Sequence, residues 1–204
     1  RLVRERGLNF QGDVLNITPG AILHGYWQSE RYFIEFADEL RQEIRLKSPP
    51  CSQNKQWLHR IKSTPSVSLH VRRGDYVSEK KNQSTFASCS MAYYQKAASR
   101  IAHVVGCEPS FFVFSDDPDW VERELQLPAK MYVVRHNDGD AAHEDLRLMS
   151  ACQHHVIANS SFSWWGAWLN AAVDKVVAVP SRWFVKDDHL SRDIVPDSWI
   201  RIQE

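Results

Sequence analysis

The stretch that decides the fold is residues 67–76, which run VSLHVRRGDY. Its first five residues form a mostly apolar run, which is typical of a strand buried on both faces of a sheet. Further runs of this kind follow, at 111–114, 131–134, 155–158 and 175–179. Helical patterns lie between them, at 91–105, 118–125, 143–152 and 161–172. Strand–helix alternation with short links predicts an α/β fold with a parallel, doubly wound sheet.

The residues before this stretch have a different pattern. Apolar side chains between Ser29 and Lys47 recur on one helical face and predict a helix, which the pair Pro49-Pro50 ends. A second, polar helix is predicted at 53–62, and Ser63-Thr64-Pro65 marks the next break. We therefore predict a domain boundary here, between residues 1–65 and residues 66–204.

The composition limits the classes of function. The chain has 204 residues, 25 basic and 25 acidic side chains, and 43% hydrophobic residues. This composition is that of a globular protein, and the balanced charge argues against nucleic acid as a partner. It leaves room for one anionic ligand that is held by a few local arginines.

Cysteine usage and hydropathy bear on the compartment. Cys51, Cys89, Cys107 and Cys152 have no regular spacing, which indicates reduced thiols. No run approaches the roughly 20 apolar residues of a membrane span. Because the chain starts at Arg1 rather than methionine, we expect a longer protein whose earlier residues could carry an anchor. These features favour a cytoplasmic bacterial protein, with peripheral membrane association left open.

Two arginines stand at the carboxyl end of the first strand. Ligands of doubly wound sheets bind beyond the carboxyl ends of the strands, and a guanidinium can bind phosphate oxygens bidentately. Arg72 and Arg73 are therefore candidate phosphate ligands. The alternative is an ordinary ion pair of either arginine with Asp75.

The ends of two later strands also carry polar residues. Asp117, followed by Pro118, predicts a helix cap, and a carboxylate at this place could instead accept hydrogen bonds from a base or a sugar. Small hydroxyl residues at Ser160 and Ser161 can cap the next helix or leave its backbone N–H groups open to an anion. The tryptophans of 164–168 are explained by core packing, although one could stack on a sugar or base.

Other site signatures are missing from the sequence. It contains no GxxxxGKS phosphate loop, no GxGxxG fingerprint, no HExxH zinc motif and no GxSxG elbow. His154 and His155 are adjacent and point apart on a strand, so they are poor joint metal ligands. We therefore expect no metal site.

Four segments follow one another in a specific order: HVRRGDY (70–76), FSDD (114–117), DLRLMSAC (145–152) and NSSFSWWGAWL (159–169). The stretch GYWQS (25–29) precedes them, and a segment with Pro196 and Trp199 ends the chain. In this order they resemble the motif series of the α-1,2-fucosyltransferases of glycosyltransferase family 11.

The resemblance implies a GT-B-like architecture of two domains. Residues 66–204 would form the Rossmann-like domain that binds GDP-fucose, and residues 1–65 the remainder of the acceptor-side domain with its linker. The activity implied is an inverting transfer of L-fucose from GDP-β-L-fucose to the 2-hydroxyl of a terminal β-galactoside, as in glycan biosynthesis. The resemblance implies neither a cofactor nor a required metal.

The resemblance also implies roles for individual residues. Arg72, supported by Arg73, would bind the pyrophosphate and stabilise the departing GDP. His70 and one of Asp116 or Asp117 would recognise guanine or ribose. The phosphates would be cradled in the donor-binding segment Asn159, Ser160, Ser161, Phe162 and Ser163, and supporting contacts would come from Asp145 and Trp164.

The group that takes the acceptor's proton is less well defined. Asp75 is the nearest carboxylate in the motif, but a role in holding Arg73 or the loop is equally open. A path through an oxocarbenium-like state with weak base assistance is another alternative.

The sequence departs from the family in one respect, because the glycine-rich segment of the GGLGNQ type that begins the family is absent. This chain could then bind donor and yet transfer poorly. The alternatives are a fucosyltransferase of another linkage, a non-catalytic nucleotide- or carbohydrate-binding module, and a structural α/β domain whose arginines make only ion pairs.

Overall fold

A computed structural model describes residues 1–74, 79–137, 139–186 and 189–203 of the chain. Its main feature is a sheet of six parallel strands. They are β3 (Ser66–Val71), β4 (Ser110–Ser115), β5 (Met131–Val133), β6 (His154–Val156), β7 (Val177–Pro180) and β8 (Ile200–Ile202). A separate parallel pair, β1 (Leu2–Arg4) with β2 (Ile22–His24), lies near the N-terminus. The predicted α/β fold with a parallel sheet is confirmed.

The strands lie in the order β5-β4-β3-β6-β7-β8. This is the strand order of a Rossmann fold. The chain adds β4 and β5 on one side of β3, then crosses to the other side and adds β6, β7 and β8. The order reverses between β3 and β6, which are hydrogen-bonded neighbours. A ligand crevice is expected beyond the carboxyl ends of these two strands.

Seven α-helices are described: α1 (Ala37–Glu43), α2 (Ser52–Lys62), α3 (Lys80–Thr85), α4 (Met91–Val105), α5 (Pro118–Glu124), α6 (Ala142–Ala151) and α7 (Ser161–Leu169). The predicted helices at 53–62, 91–105, 118–125 and 143–152 are confirmed to within a residue or so. None of the described helices combines the length and apolarity needed to cross a membrane. No disulfide joins the four cysteines, all of which lie in the described ranges.

Helices cover both faces of the sheet. In β4, Phe111 and Val113 pack with α4 and α5 in one hydrophobic cluster. The intervening Phe112 and Phe114 pack with α2 and α6 in another. Period-two alternation explains this division, since successive side chains of a strand point to opposite faces. Because both faces are buried, the strands are apolar at nearly every position.

The helix predicted between Ser29 and Lys47 is largely wrong. The structure has two single-turn 3₁₀ segments, Glu30–Tyr32 and Ile34–Phe36, followed by the short helix α1. Phe33 interrupts the helix, with φ −143° and ψ 7°. Its ring packs against Trp164, Trp165 and Trp168 of α7. Tertiary packing of this one ring therefore overrides the local helical pattern.

Helix α7 ends at Leu169, three residues before the predicted end. The next residue, Asn170, has an extended backbone, and its Nδ2 donates to the carbonyl of Cys152 at 2.8 Å. The Lys175 ammonium donates to the carbonyls of Ala167 and Asn170 at 2.9 and 2.5 Å. These bonds satisfy carbonyls that the end of a helix leaves without partners.

His155 lies at the centre of the sheet and is fully buried. Asn170 Nδ2 donates to its Nε2 at 2.9 Å, so the proton is on Nδ1, which lies 2.8 Å from Ser68 Oγ. Burial, with smaller contributions from Lys175 and His154, lowers the pKa of His155 to about 3. The imidazole is therefore neutral in the folded protein at neutral pH.

This buried histidine makes the stability of the protein pH-dependent. An unfolded histidine has a pKa near 6.5, so between pH 6.5 and 3 the unfolded chain binds the proton and the folded chain does not. We expect the free energy of unfolding to fall as the pH drops from 7 to 4, with up to about 1.4 kcal/mol per pH unit from this residue. Urea denaturation at several pH values should show a shallower slope for His155→Gln than for the wild type. The exposed His103→Gln is the control, and equal slopes for wild type and His155→Gln would contradict the assignment.

Candidate active site

A cleft opens at the carboxyl ends of β3 and β6, where the strand order reverses. Its volume is about 560 Å³, within the range of small-molecule sites. Its walls come from the two strand ends and from four other segments of the chain. The lining residues are Leu8, Tyr26, Gln28, Arg72, Thr85, Phe86, Asn159, Ser160, Ser161, Phe162, Trp183 and Phe184. Of the donor-site residues predicted from sequence, Arg72, Asn159, Ser160, Ser161 and Phe162 are brought together here.

Arg72 is held by Asp116, at the end of the neighbouring strand β4. Its Nη1 lies 2.9 Å from Asp116 Oδ2. The other oxygen, Oδ1, accepts the backbone N–H of Arg73 at 2.8 Å. The carboxylate of Asp116 thus binds the first arginine through its side chain and the second through its backbone.

Gly74 makes this arrangement sterically feasible. A Cβ atom on Gly74 would lie 2.7 Å from Asp116 Oδ2 and 3.2 Å from its Cγ. The carboxylate could not stay beside Arg72 if residue 74 had a side chain. The glycine that follows the two arginines is therefore explained by this close approach.

Arg73 points toward the start of α5 and does not line the cleft. Its guanidinium lies over the ring of Trp120, 4.0 Å from the centroid, and its Nε is 3.6 Å from Asp117 Oδ2. Asp117 also caps α5, because its Oδ1 accepts the backbone N–H of Trp120 at 3.1 Å. The predicted cap with Pro118 at the first helical position is confirmed. Both candidates for the one carboxylate predicted to recognise guanine or ribose are thus engaged with arginines.

His70 is the last histidine before the arginines, and its side chain is 5% exposed. Burial is the main cause of a lowered pKa of about 4 for His70, with Asp116 opposing the shift and the charge of Arg72 adding to it. Its Nδ1 is buried and has no hydrogen-bond partner among the described residues. The ring centroid lies 5.8 Å from that of Phe162, which lines the cleft. His70 is therefore a neutral imidazole behind the cleft wall.

Asn159 ties three segments together at the end of β6. Its Nδ2 donates to the carbonyls of Ala87 and Trp183 at 2.5 and 2.8 Å. Its Oδ1 accepts a weak bond from the thiol of Cys89 at 3.7 Å. These contacts hold the loops before α4 and after β7 against the cleft. The Asn159 side chain bonds mainly to other parts of the protein, although the residue also lines the cleft.

The N-terminus of α7 faces the cleft. Ser160 is the N-cap residue, but its side chain makes no capping hydrogen bond. The first N–H groups of a helix have no partner within the helix, so an anion can bind them together with the positive end of the helix dipole. Ser161 and Phe162 line the cleft at this point.

Ser163 and the two supporting residues lie outside the cleft lining. Ser163 is buried, and its hydroxyl donates to the carbonyls of Ala158 and Ser160 at 3.3 and 3.2 Å. The indole N–H of Trp164 donates to the carbonyl of Ile194 at 2.8 Å. Asp145 Oδ1 accepts from Asn137 Nδ2 at 2.8 Å, and Asn137 is bonded to Asn54 of α2. Ser163 and Trp164 thus bind backbone carbonyls near the site, and Asp145 binds the side chain of Asn137.

Asp75, the carboxylate predicted as the candidate base, lies outside the described residues. Among the described residues, no group of three or more His, Cys, Asp or Glu side chains is arranged to hold a metal ion.

Several cleft residues carried no signal in the sequence that would mark them as site residues. Phe86 and Phe184 form an isolated antiparallel bridge with ring centroids 5.5 Å apart, and they join the loop after α3 to the loop after β7. Trp183 stands beside them. Tyr26 and Gln28 belong to the segment GYWQS, which could have been placed in the site because it is one of the family's segments.

Comparison with known proteins decides the family. The model of glycosyl transferase family 11 matches residues 15–203. The chain belongs to this family.

The family relatives include bacterial and animal proteins. An α-1,2-colitosyltransferase of Escherichia coli is 36% identical over 188 residues, which is 88% of this chain and 62% of the relative. The O-antigen biosynthesis glycosyltransferase WbnK of Escherichia coli is 39% identical over 67% of this chain and 44% of its own length. The galactoside 2-α-L-fucosyltransferase SEC1 of Bos taurus is 29% identical over 72% of this chain and 41% of its own length. The chain thus spans about 40 to 60% of these relatives.

Among solved structures, a glycosyl transferase of family 9 from Veillonella parvula is similar with a TM-score of 0.46 and 11% identity. The match covers 91% of this chain and 53% of that protein.

The Asp116 pairing predicts a stability difference between two aspartates. Asp116→Ala removes the partner of Arg72 and of the Arg73 N–H, and we expect a loss of about 1–3 kcal/mol in the free energy of unfolding. Asp119→Ala is the matched control, because Asp119 pairs with Arg135 on the surface, where such pairs contribute about 0–1 kcal/mol. Urea denaturation measures the free energy of unfolding of both variants. Equal losses would show that the contacts of Asp116 stabilise the protein no more than a surface ion pair does.

Proposed function

We propose that this chain carries the donor-binding site of an inverting glycosyltransferase. The donor is GDP-β-L-fucose, and the product is an α-1,2-linked fucoside of a terminal galactoside. The observation that carries the proposal is that Arg72 and the open N-terminus of α7 line one cleft at the point where the strand order reverses. Doubly wound folds bind nucleotides at this place.

The charge arrangement suits a diphosphate leaving group. In the proposed site the guanidinium of Arg72 and the backbone N–H groups of α7 bind the phosphate oxygens from two sides. Asp116 keeps Arg72 oriented, so little reorganisation is needed as negative charge develops on the leaving GDP. In this proposal the transfer requires no metal, because these fixed groups stabilise the charge of the leaving group.

The α-1,2 linkage is supported by the names of two relatives. One is named an α-1,2-colitosyltransferase and another a galactoside 2-α-L-fucosyltransferase. A colitosyl donor is the second candidate, because the relative that carries that name matches 88% of this chain. A fucosyltransferase of another linkage is a third candidate, and a binding module without activity is a fourth.

The remaining roles stay predictions. Asp75 is proposed to accept the proton of the acceptor hydroxyl, with weak base assistance along an oxocarbenium-like path as the alternative. His70 and one of Asp116 or Asp117 are proposed to recognise guanine or ribose. Both aspartates are paired with arginines. Either carboxylate would therefore accept a hydrogen bond from guanine or ribose while it keeps its ion pair.

The phosphate role of Arg72 predicts a loss of GDP binding. Hydrogen bonds to charged groups contribute about 1.5–3 kcal/mol, so Arg72→Ala should weaken GDP binding by roughly ten- to a hundredfold. Isothermal titration calorimetry measures this change, and near-ultraviolet circular dichroism checks the fold. Arg135→Ala is the control, because Arg135 pairs with Asp119 and Glu122 on the surface and does not line the cleft. Unchanged GDP affinity in Arg72→Ala would refute the role.

Transfer itself is tested with lactose as acceptor. We expect a protein containing this chain to convert GDP-β-L-fucose and lactose to an α-1,2-linked fucoside, with equal rates with and without EDTA. Nuclear magnetic resonance of the product gives both the linkage and the anomeric configuration. A product of another linkage would overturn the acceptor assignment, and transfer from a colitosyl nucleotide alone would overturn the donor assignment. GDP binding without any turnover would support the binding module.

A further inference from the structure

A second, smaller pocket adjoins the cleft. Its volume is about 150 Å³, which is below the roughly 300–1,000 Å³ of pockets for drug-sized ligands and suits a single sugar ring. It shares Tyr26, Gln28, Ser161 and Trp183 with the cleft. The full lining is Tyr26, Trp27, Gln28, Ser29, Phe33, Ser161, Trp164, Trp165, Trp183 and Ile194.

Aromatic rings dominate this pocket, and their positions are fixed by one another. Phe33 and Trp165 are stacked, with centroids 5.6 Å apart and an interplanar angle of 17°. Trp164 meets Trp165 edge to face at 5.1 Å. Such pairs are stabilised by their quadrupoles in addition to the area they bury. The pocket therefore presents a rigid apolar wall to any occupant.

Trp27 has two unusual features for a residue of this wall. Its φ is +52°, a left-handed conformation that is rare for a bulky residue. Its indole Nε1 is buried and has no hydrogen-bond partner among the described residues. A buried donor without an acceptor costs roughly 1–3 kcal/mol, and local strain of this kind tends to occur at ligand sites.

Glu5 enforces this conformation. Its carboxylate accepts the backbone N–H of Tyr26 at 2.6 Å and that of Trp27 at 3.0 Å. Gly25 has to be a glycine here, because a Cβ atom on it would lie 2.6 Å from Glu5 Oε2. A charged group and a glycine together hold Trp27 in an otherwise unfavourable position. A ligand that accepts a hydrogen bond from the indole N–H would make use of this arrangement.

We infer that this aromatic pocket binds the deoxyhexose ring of the donor, with Trp27 Nε1–H donating to one of its oxygen atoms. The inference rests on the proposed function, because the pocket acquires this role only if a sugar nucleotide occupies the cleft. Ser161 belongs to both cavities and stands at the N-terminus of α7. The sugar is bonded directly to the diphosphate, so a diphosphate bound at that terminus places the sugar beside the shared wall. The acceptor has no such covalent tie to this position.

The apolar wall of the pocket predicts a preference for a 6-deoxy sugar. L-fucose carries a methyl group where L-galactose carries a hydroxymethyl group. The methyl group gains free energy by leaving water for an apolar wall, whereas the extra hydroxyl would lose its hydrogen bonds to water. An apolar pocket discriminates moderately against an added hydroxyl, so a difference of about tenfold in affinity is expected.

The experiment is calorimetry on the 204-residue chain with three probes: GDP, GDP-β-L-fucose and GDP-β-L-galactose. In the wild type, GDP-β-L-fucose should bind about tenfold more tightly than GDP-β-L-galactose. Trp27→Phe, which removes the indole N–H, and Trp165→Leu, which removes an aromatic face, should leave the affinity for GDP within about twofold. Both should weaken binding of GDP-β-L-fucose relative to GDP by about five- to tenfold. The matched control is Trp57→Phe. Trp57 lies on α2 and packs on Phe112 and Tyr132, away from the pocket. The affinities of this variant for all probes should match those of the wild type.

The outcomes separate this inference from the proposed function. If GDP binds all proteins alike and the variants keep the wild-type ratio of GDP-fucose to GDP affinity, the inference is overturned and the proposed function stands. If the variants weaken GDP as much as GDP-fucose, the pocket holds the nucleotide and the inference is again overturned. If GDP does not bind the wild type, the proposed function fails and the inference fails with it. Lactose is titrated as a fourth probe, and if the variants alter only its binding, the pocket is an acceptor site and the donor assignment is overturned.

Discussion

The carboxylate of Asp116 is the interaction on which the candidate site depends. It stands at the end of β4 and bridges to the end of β3, where it binds the guanidinium of Arg72 and the backbone N–H of Arg73. An arginine side chain at a strand end can adopt many rotamers, which would place its charge at different positions in the crevice. Pairing with Asp116 gives Arg72 one direction, and Gly74 leaves the space that the pairing needs.

The opposite wall is held by a different device. Asn159, at the end of β6, binds the carbonyls of Ala87 and Trp183 and so draws two distant loops against the start of α7. Helix α7 is anchored at its other end by Lys175 and Asn170. Because each wall has its own set of polar contacts, the proposed anion-binding groups face a cleft whose walls are each held by the protein itself. Such preorganisation reduces the cost of binding and of charge development.

Much of the fold was predictable because its signals are local. The strands β3 and β4 are buried on both faces, so their apolar runs stand out in the sequence, and Asp117 with Pro118 marks the start of α5. The helix expected over 29–47 failed because Phe33 leaves the helical pattern to pack on three tryptophans of α7. The edge strand β8 has the sequence Ile-Arg-Ile with its arginine exposed, so no apolar run marks it in the sequence. For the candidate site, Arg72, Ser160 and Ser161 could be placed in one crevice because the rule for strand ends applies to any doubly wound sheet.

The sequence by itself determined the class of the sheet, the family, and the residues at each strand end, since these follow from periodicity and from motifs along the chain. The tertiary structure decided which charges meet. It places Asp116 beside Arg72, because the partner of a side chain depends on which strands are neighbours in the sheet. Likewise the aromatic pocket requires Glu5, Trp27 and Trp165 at one place, although they are far apart in sequence. No local sequence pattern predicts that these residues meet, because their contacts arise from tertiary packing between elements that are distant in sequence.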